Sequence, residues 1–134
     1  MRLEPLYRIR WTTPEAWSIA SQSFFLAEGR CEGGVAGRFR AANFARRRGD
    51  STLLPDFRGV VETDDGAVLT ITLQGYLRTE REGRRELVGS MTHPSDDERY
   101  AHLNDVVCAV AGEVGPSGVV VEVAELVWER LETS

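Results

Sequence analysis

The sequence predicts an all-β fold: a closed antiparallel up-and-down β-barrel of about eight strands, with one short helical turn near the N-terminus. Three observations predict it. Runs with apolar residues at every second position recur along the chain, the period of a half-buried strand. Gly, Asp and Pro clusters punctuate them at regular spacing, which is turn chemistry. Nearly every connection is short enough to be a hairpin, which favours a meander over a Greek key. A barrel of this size has an interior that holds side chains or one small ligand.

The elements follow in order. In Leu6–Thr12, Tyr7, Ile9 and Trp11 alternate with Arg8 and Arg10, the pattern of a first strand. Thr13-Pro14-Glu15 has the signature of a helix start: a Thr cap, Pro at the first position, then an acid. One or two turns through Ala20 are expected. Ser23–Arg30 and Val35–Phe44 are the second and third strands, joined at Gly33-Gly34. Ala45–Pro55 is the longest irregular connection. Phe57–Thr63 and Ala67–Leu77 flank Asp65-Gly66, where Gly accepts the positive φ of a tight hairpin. In the second arm Leu69, Ile71 and Leu73 share one face, and Thr70, Thr72, Gln74 and Tyr76 the other. Arg78–Arg85 is a charged turn tipped by Glu82-Gly83, and Glu86–Thr92 is the sixth strand. His93–Glu98 is a polar loop. Tyr100–Gly112 is the seventh strand, with Asn104, Val106, Cys108 and Val110 on one face. Gly115–Gly118 turns the chain into the eighth strand, Val119–Arg130.

A length of 134 residues corresponds to one domain, 1–134, long enough to bury a core without disulfide or metal staples. The net charge of −5 argues against general nucleic-acid affinity. All sixteen basic residues are arginine, which removes Schiff-base, pyridoxal-phosphate and P-loop lysine chemistry. GxSxG, GxGxxG after a strand, HExxH and Walker A patterns are absent, so classical hydrolase, dinucleotide and NTPase readings are disfavoured and no cofactor is expected. The N-terminus is charged from residue two, without the apolar stretch of a signal peptide, and the longest apolar runs are too short to span a bilayer as a helix. A cytoplasmic location without membrane partners is the expectation. Cys31 and Cys108 lack CxxC spacing; two buried thiols are expected, with a single disulfide as the alternative.

Several residue groups bear on chemistry. Asp64 and Asp65 are adjacent carboxylates, and such pairs do acid/base work where they share a proton. Their place beside Gly66 favours turn capping. Arg46-Arg47-Arg48 suits anion capture by arginine forks, but reads more simply as a solvated loop neutralised by Asp50 and Asp56. His93 and His102 are the only histidines. With Asp96, Asp97 or Asp105 they would make a two-His, one-carboxylate metal site, but no spacing supports it, so surface or edge histidines are expected and no metal. By period two, Tyr100, His102 and Asn104 fall on one strand face. They form either a hydrogen-bonding wall inside the barrel or an anchor at the strand start, with Arg99 pairing a nearby acid. Arg38, Arg40 and Glu62 project from strands. Charges inside a barrel must be paired or meet a ligand, so an inward Arg38–Glu62 pair marks a binding site and an outward one does not.

The segments LEPLYRIR, TDDGA, RYAHLNDVV and VVVEVAELVWE, in this order and spacing, resemble the bacterial family known as domain of unknown function 3237. LEPLYRIR is similar to its opening strand. GRCEGGVAGRFRAANFARRRGD and LPDFRGVVETDDGAVLTITLQGY are similar to its central core, with TDDGA as the hallmark hairpin. RYAHLNDVV resembles its RYxWLN segment, with His102 where the family often has Trp, and VVVEVAELVWE its closing strand. The resemblance covers most of the chain. It implies a closed antiparallel barrel in a homo-oligomer, dimer or trimer, and no settled reaction. In plan the barrel is similar to allene oxide cyclase, dirigent and calycin-like barrels, an analogy of fold.

The leading functional expectation is a cofactor-independent enzyme of cyclase, isomerase or hydratase type acting on a small carbonyl- or carboxylate-bearing metabolite. His102 or Glu62 would transfer protons beside Tyr100. Arg38, Arg40, Asn43, Tyr76 and Asn104 would hold the substrate. The alternatives are a non-catalytic binding barrel and a structural oligomer in which Phe24, Phe25, Trp11 and Trp128 seal subunit contacts. The interior discriminates them: a filled barrel removes the first two readings, and an open, wholly apolar cavity favours binding.

Overall fold

The computed structural model describes residues 1–20, 22–79 and 83–132. The strands are β1 (Arg2–Ile19), β2 (Gln22–Gly33), β3 (Gly37–Arg47), β4 (Leu53–Leu54), β5 (Asp56–Thr63), β6 (Val68–Thr79), β7 (Arg85–Thr92), β8 (Cys108–Gly115) and β9 (Gly118–Val127). All neighbours are antiparallel. β1 pairs with both β2 and β9, which closes the barrel and leaves no continuous sheet edge. β4 lies between β3 and β6 and continues the line of β5 across Pro55, so eight strand positions surround the interior. Pro55 has no N–H to give to a ladder, which accounts for the break.

Two sequence expectations are corrected. Thr13–Ala20 does not form a helical turn; β1 runs on through Ile19 and pairs with β2. Pairing of Ala16 with Phe25 and Trp17 with Phe24 outweighs the local cap signal. β1 meets β9 only as far as Trp11, so Pro14 lies beyond that ladder, where its missing N–H costs no bond there. The second correction concerns Tyr100–Gly112. Its first part is a 3-10 helix, Glu98–Leu103, and β8 begins only at Cys108. Asp97 caps the helix, its carboxylate accepting the Arg99 N–H at 2.9 Å.

Alternation places the core. Tyr7, Ile9 and Trp11 of β1, Phe39 of β3, Phe57 and Val61 of β5, and Leu69, Ile71 and Leu73 of β6 point inward and are buried. The Trp11 ring packs on Phe39 and on Phe57, each with centroids 5.4 Å apart. Inward glycines let neighbouring strands approach: a methyl at Gly29 would overlap the Arg10 carbonyl, and one at Gly75 the Val88 carbonyl. The barrel thus has two unlike ends. The lower end carries the β5–β6 turn and the long connection from His93 to Val107, with Leu103 buried among the core side chains. The upper end carries the break at Pro55 and the β8–β9 turn. Among the described residues no helix is long and apolar enough to cross a membrane.

Candidate functional site

Most of the candidate residues lie outside the barrel. Arg38 and Arg40 are exposed on the outer face of β3, and Glu62 on the outer face of β5. The inward Arg38–Glu62 pair that would mark a binding site does not form: Arg38 pairs with Glu28 and Arg40 with Glu62, all in solvent. Such exposed pairs contribute about 0–1 kcal/mol each. Tyr76 is half-buried on the outer face, with the Arg78 guanidinium 5.2 Å from its ring centre. Of this group Asn43 alone points inward and is buried.

Tyr100, His102 and Asn104 do not share a strand face, because their segment is helical. His102 is exposed. Asn104 ties the connection to itself, its Oδ1 accepting the Ser95 N–H at 2.8 Å and its Nδ2 donating to the Ser95 carbonyl at 3.1 Å. The Tyr100 hydroxyl donates to the Asp65 carboxylate at 2.9 Å, and Arg99 Nη1 donates to the Asp65 carbonyl at 2.6 Å. Thr63 Oγ1 donates to the same carboxylate at 2.5 Å. Bonds from Thr63 and Tyr100, with the charge of Arg99, hold the Asp65 carboxyl below its ordinary range. Asp64 pairs with Arg30. The two aspartates are therefore turn and latch groups, and Arg48 is neutralised by Asp50 as expected; Asp56 lies beside Gln74 and Arg58 instead.

His93 is not a surface histidine. It is fully buried just past β7 at the lower end of the barrel, its Nε2 2.6 Å from the Tyr7 hydroxyl and its Nδ1 3.9 Å from Cys108 Sγ. Burial lowers its pKa to about 4, so the ring is neutral at physiological pH. Burial also raises the Tyr7 phenol well above its ordinary value. Cys31 and Cys108 are free buried thiols, pushed up to about 12 and about 11 by burial. Among the described residues no group of three or more His, Cys, Asp or Glu side chains is placed to hold a metal ion.

The interior is open at the upper end. A cavity of about 170 Å³ enters there. Trp11, Phe25, Phe57, Leu53, Leu77 and Leu87 make most of its wall. Trp11 and Phe25, which the structural-oligomer alternative puts at subunit contacts, thus serve the interior. Asn43 sits in the wall because Asp56, the first residue after the Pro55 break, needs an acceptor for its N–H; Asn43 Oδ1 takes it at 2.9 Å. Its NH₂ group then has no acceptor among the described residues. Arg85 borders the same cavity from the start of β7. It lies in register with the inward residues Leu87 and Met91, two and six positions on, so its guanidinium belongs to the mouth. Among the described residues no side chain pairs with it. No Asp, Glu, His, Cys or Tyr lines this cavity among the described residues. Sequence reading missed Arg85 by assigning it to the turn; extending the β7 alternation two residues upstream would have found it.

The fold and its signature segments decide the family. Residues 1–126 match the family described as "Protein of unknown function (DUF3237)". The chain belongs to this family. Its TDDGA and RYAHLN segments, distant in sequence, meet in the Asp65–Tyr100 latch. Solved structures share the fold. A β-barrel-like protein from Acinetobacter baumannii AYE is similar with a TM-score of 0.85 at 19% identity, over 92% of this chain and 94% of that one. A conserved protein of unknown function from Rhodopseudomonas palustris is similar with a TM-score of 0.83 at 16% identity, over 92% and 95%. An enzyme from Penicillium herquei is similar with a TM-score of 0.68 at 18% identity, over 93% and 94%. None of the curated proteins matches the chain in sequence.

Proposed function

We propose that the upper cavity of this DUF3237 barrel binds a small, single-ring, largely apolar molecule that carries a carboxylate or carbonyl. The observation that carries this reading is the wall itself: Trp11 and Phe57 inside, with Arg85, the Asn43 amide and Thr13 as the polar groups of the lining. The size fits. A dry apolar cavity of about 150 Å³ accommodates benzene, and this one measures about 170 Å³. Aromatic walls supply burial and a few placed polar groups fix orientation, the usual economy of a ligand pocket. Arg85 meets a carboxylate with two parallel N–H donors, and Asn43 adds a neutral donor.

Binding is favoured over proton-transfer catalysis because no titratable base or acid lines the cavity among the described residues. A second reading, cofactor-free conversion of the bound molecule, draws on one feature. A guanidinium at the mouth of an apolar pocket stabilises negative charge developing on a carbonyl oxygen, while the walls hold a reactive conformation. The barrel of the Penicillium herquei enzyme is consistent with it.

Calorimetric titration with trans-cinnamate and with its neutral amide tests the reading. Arg85→Ala is expected to weaken cinnamate binding by about ten-fold or more, the scale of a charged hydrogen bond, and to leave the amide nearly unaffected. Equal affinity of both proteins for cinnamate, or no binding of either probe, would overturn it.

A further inference from the structure

We infer that the outer face of β1, β2 and β3 near the upper end is a homodimer interface, formed by a second copy of this chain about a two-fold axis parallel to the strands.

The surface arises from a bulge. The register between β1 and β2 shifts between Thr12 and Glu15. An odd step exchanges faces, so Trp11 points into the barrel while Trp17 points out. Trp17 joins Phe24 and Phe44 in a ladder of rings across three strands, with centroids 5.4 and 5.0 Å apart. Trp17 is 50% exposed, Phe44 52% and Ile19 81%. Aromatic side chains clustered on an outer sheet face are what the core of a protein interface offers.

The rows of this face say what covers it. Glu15, Leu26, Ala42 and Arg58 lie side by side across β1, β2, β3 and β5. An acid stands at one edge, a base at the other and apolar residues between. A two-fold axis along the strands, between β2 and β3, sets each row against its own reverse. Glu15 then faces Arg58 of the second copy, and Leu26 faces Ala42. In the row above, Phe24 faces Phe44 of the second copy; in the row below, Glu28 faces Arg40. These four juxtapositions are complementary, and the row below adds a neutral contact of Thr12 with Val60 of the second copy. The next row down pairs Arg30 with Arg38 and would set them against each other, so the contact ends there. The patch is complementary to itself, which a foreign partner does not require. Within one chain Glu15 and Arg58 are separated by two intervening strands and cannot pair, so any coupling between them reports the second copy.

Sedimentation equilibrium on the full chain tests this. The wild type is expected to be a dimer. Phe44→Ser is expected to weaken it by at least about ten-fold, the cost of losing an interface anchor. Glu15→Arg and Arg58→Glu singly are expected to weaken it, and the double variant to recover most of the loss, because the axis pairs those two positions. All three substituted residues project outward, so circular dichroism of each variant should match the wild type. A wild type that is monomeric or trimeric at every concentration overturns the inference. So does a dimer indifferent to Phe44→Ser, or a double variant no better than its singles.

Discussion

At the scale of single residues, His93 couples the core to pH. Its pKa is about 4 in the folded chain, because burial penalises the charged ring, against an ordinary 6.5. Between those two values the unfolded chain binds a proton that the folded chain does not, so stability falls as pH falls through this window. Above it the contribution is nil. The full loss, complete near pH 4, is on the order of 3 kcal/mol, and about 2 kcal/mol of it is reached by pH 5. Urea unfolding at pH 7 and pH 5 checks this: the wild type should lose that stability and His93→Gln should lose markedly less. Equal losses would show that the His93 proton does not set the slope. The Tyr7 hydroxyl at 2.6 Å satisfies the ring without a charge, which explains how a fully buried histidine is tolerated.

Tyr100 stands at the other extreme of burial stakes. Its hydroxyl joins the two family segments through Asp65, but the contact is exposed. Tyr100→Phe should cost about 1 kcal/mol in global stability and should raise hydrogen exchange across residues 93–107 more than in the strands. A loss several times larger, spread over all strands, would contradict the view of Tyr100 as a surface latch.

At the scale of elements, periodicity gave the strands and local signals misplaced two segments. The alternation in β6 is unbroken, so the face shared by Leu69, Ile71 and Leu73 was legible; only its inward direction needed the closed barrel. Thr13-Pro14-Glu15 carries a sound cap signal that long-range pairing with β2 overrides. In the RYAHLN segment, apparent period two concealed a 3-10 turn whose cap, Asp97, is visible two residues before Arg99. The candidate site was less legible for a physical reason. On β3 the residues flanking the charges are small on both faces, Ala41 inside and Ala42 outside, so hydrophobicity did not tell in from out. Asn43 was reached and Arg85 was not, because its charge placed it in the turn.

The close approach of β1 and β2 gives an element-scale prediction. A methyl at Gly29 would meet backbone atoms of Arg10 and Trp11, whereas one at Gly49 meets nothing within 4 Å. Gly29→Ala should destabilise the barrel by about 3 kcal/mol or more, since backbone cannot step aside as a side chain does. Gly49→Ala should change stability by less than about 0.5 kcal/mol. Thermal unfolding of the two variants compares them directly. Similar behaviour would mean that the strands relax freely at Gly29.

At the scale of the whole molecule, the two ends of the barrel have divided their tasks. The lower end is closed by the His93–Val107 connection, with Leu103 inside and the Asp65–Tyr100 latch outside. The segments that mark the family therefore serve closure, while the upper end keeps an aromatic cavity bordered by Arg85. The most direct test is a map of side-chain and amide NMR shifts on titration with trans-cinnamate. The account predicts movement of the Trp11 indole, the Asn43 NH₂ and the Arg85 guanidinium, with Tyr100, His102 and Asn104 unmoved. Shifts confined to Tyr100–Asn104, with Trp11 and Asn43 silent, would contradict it.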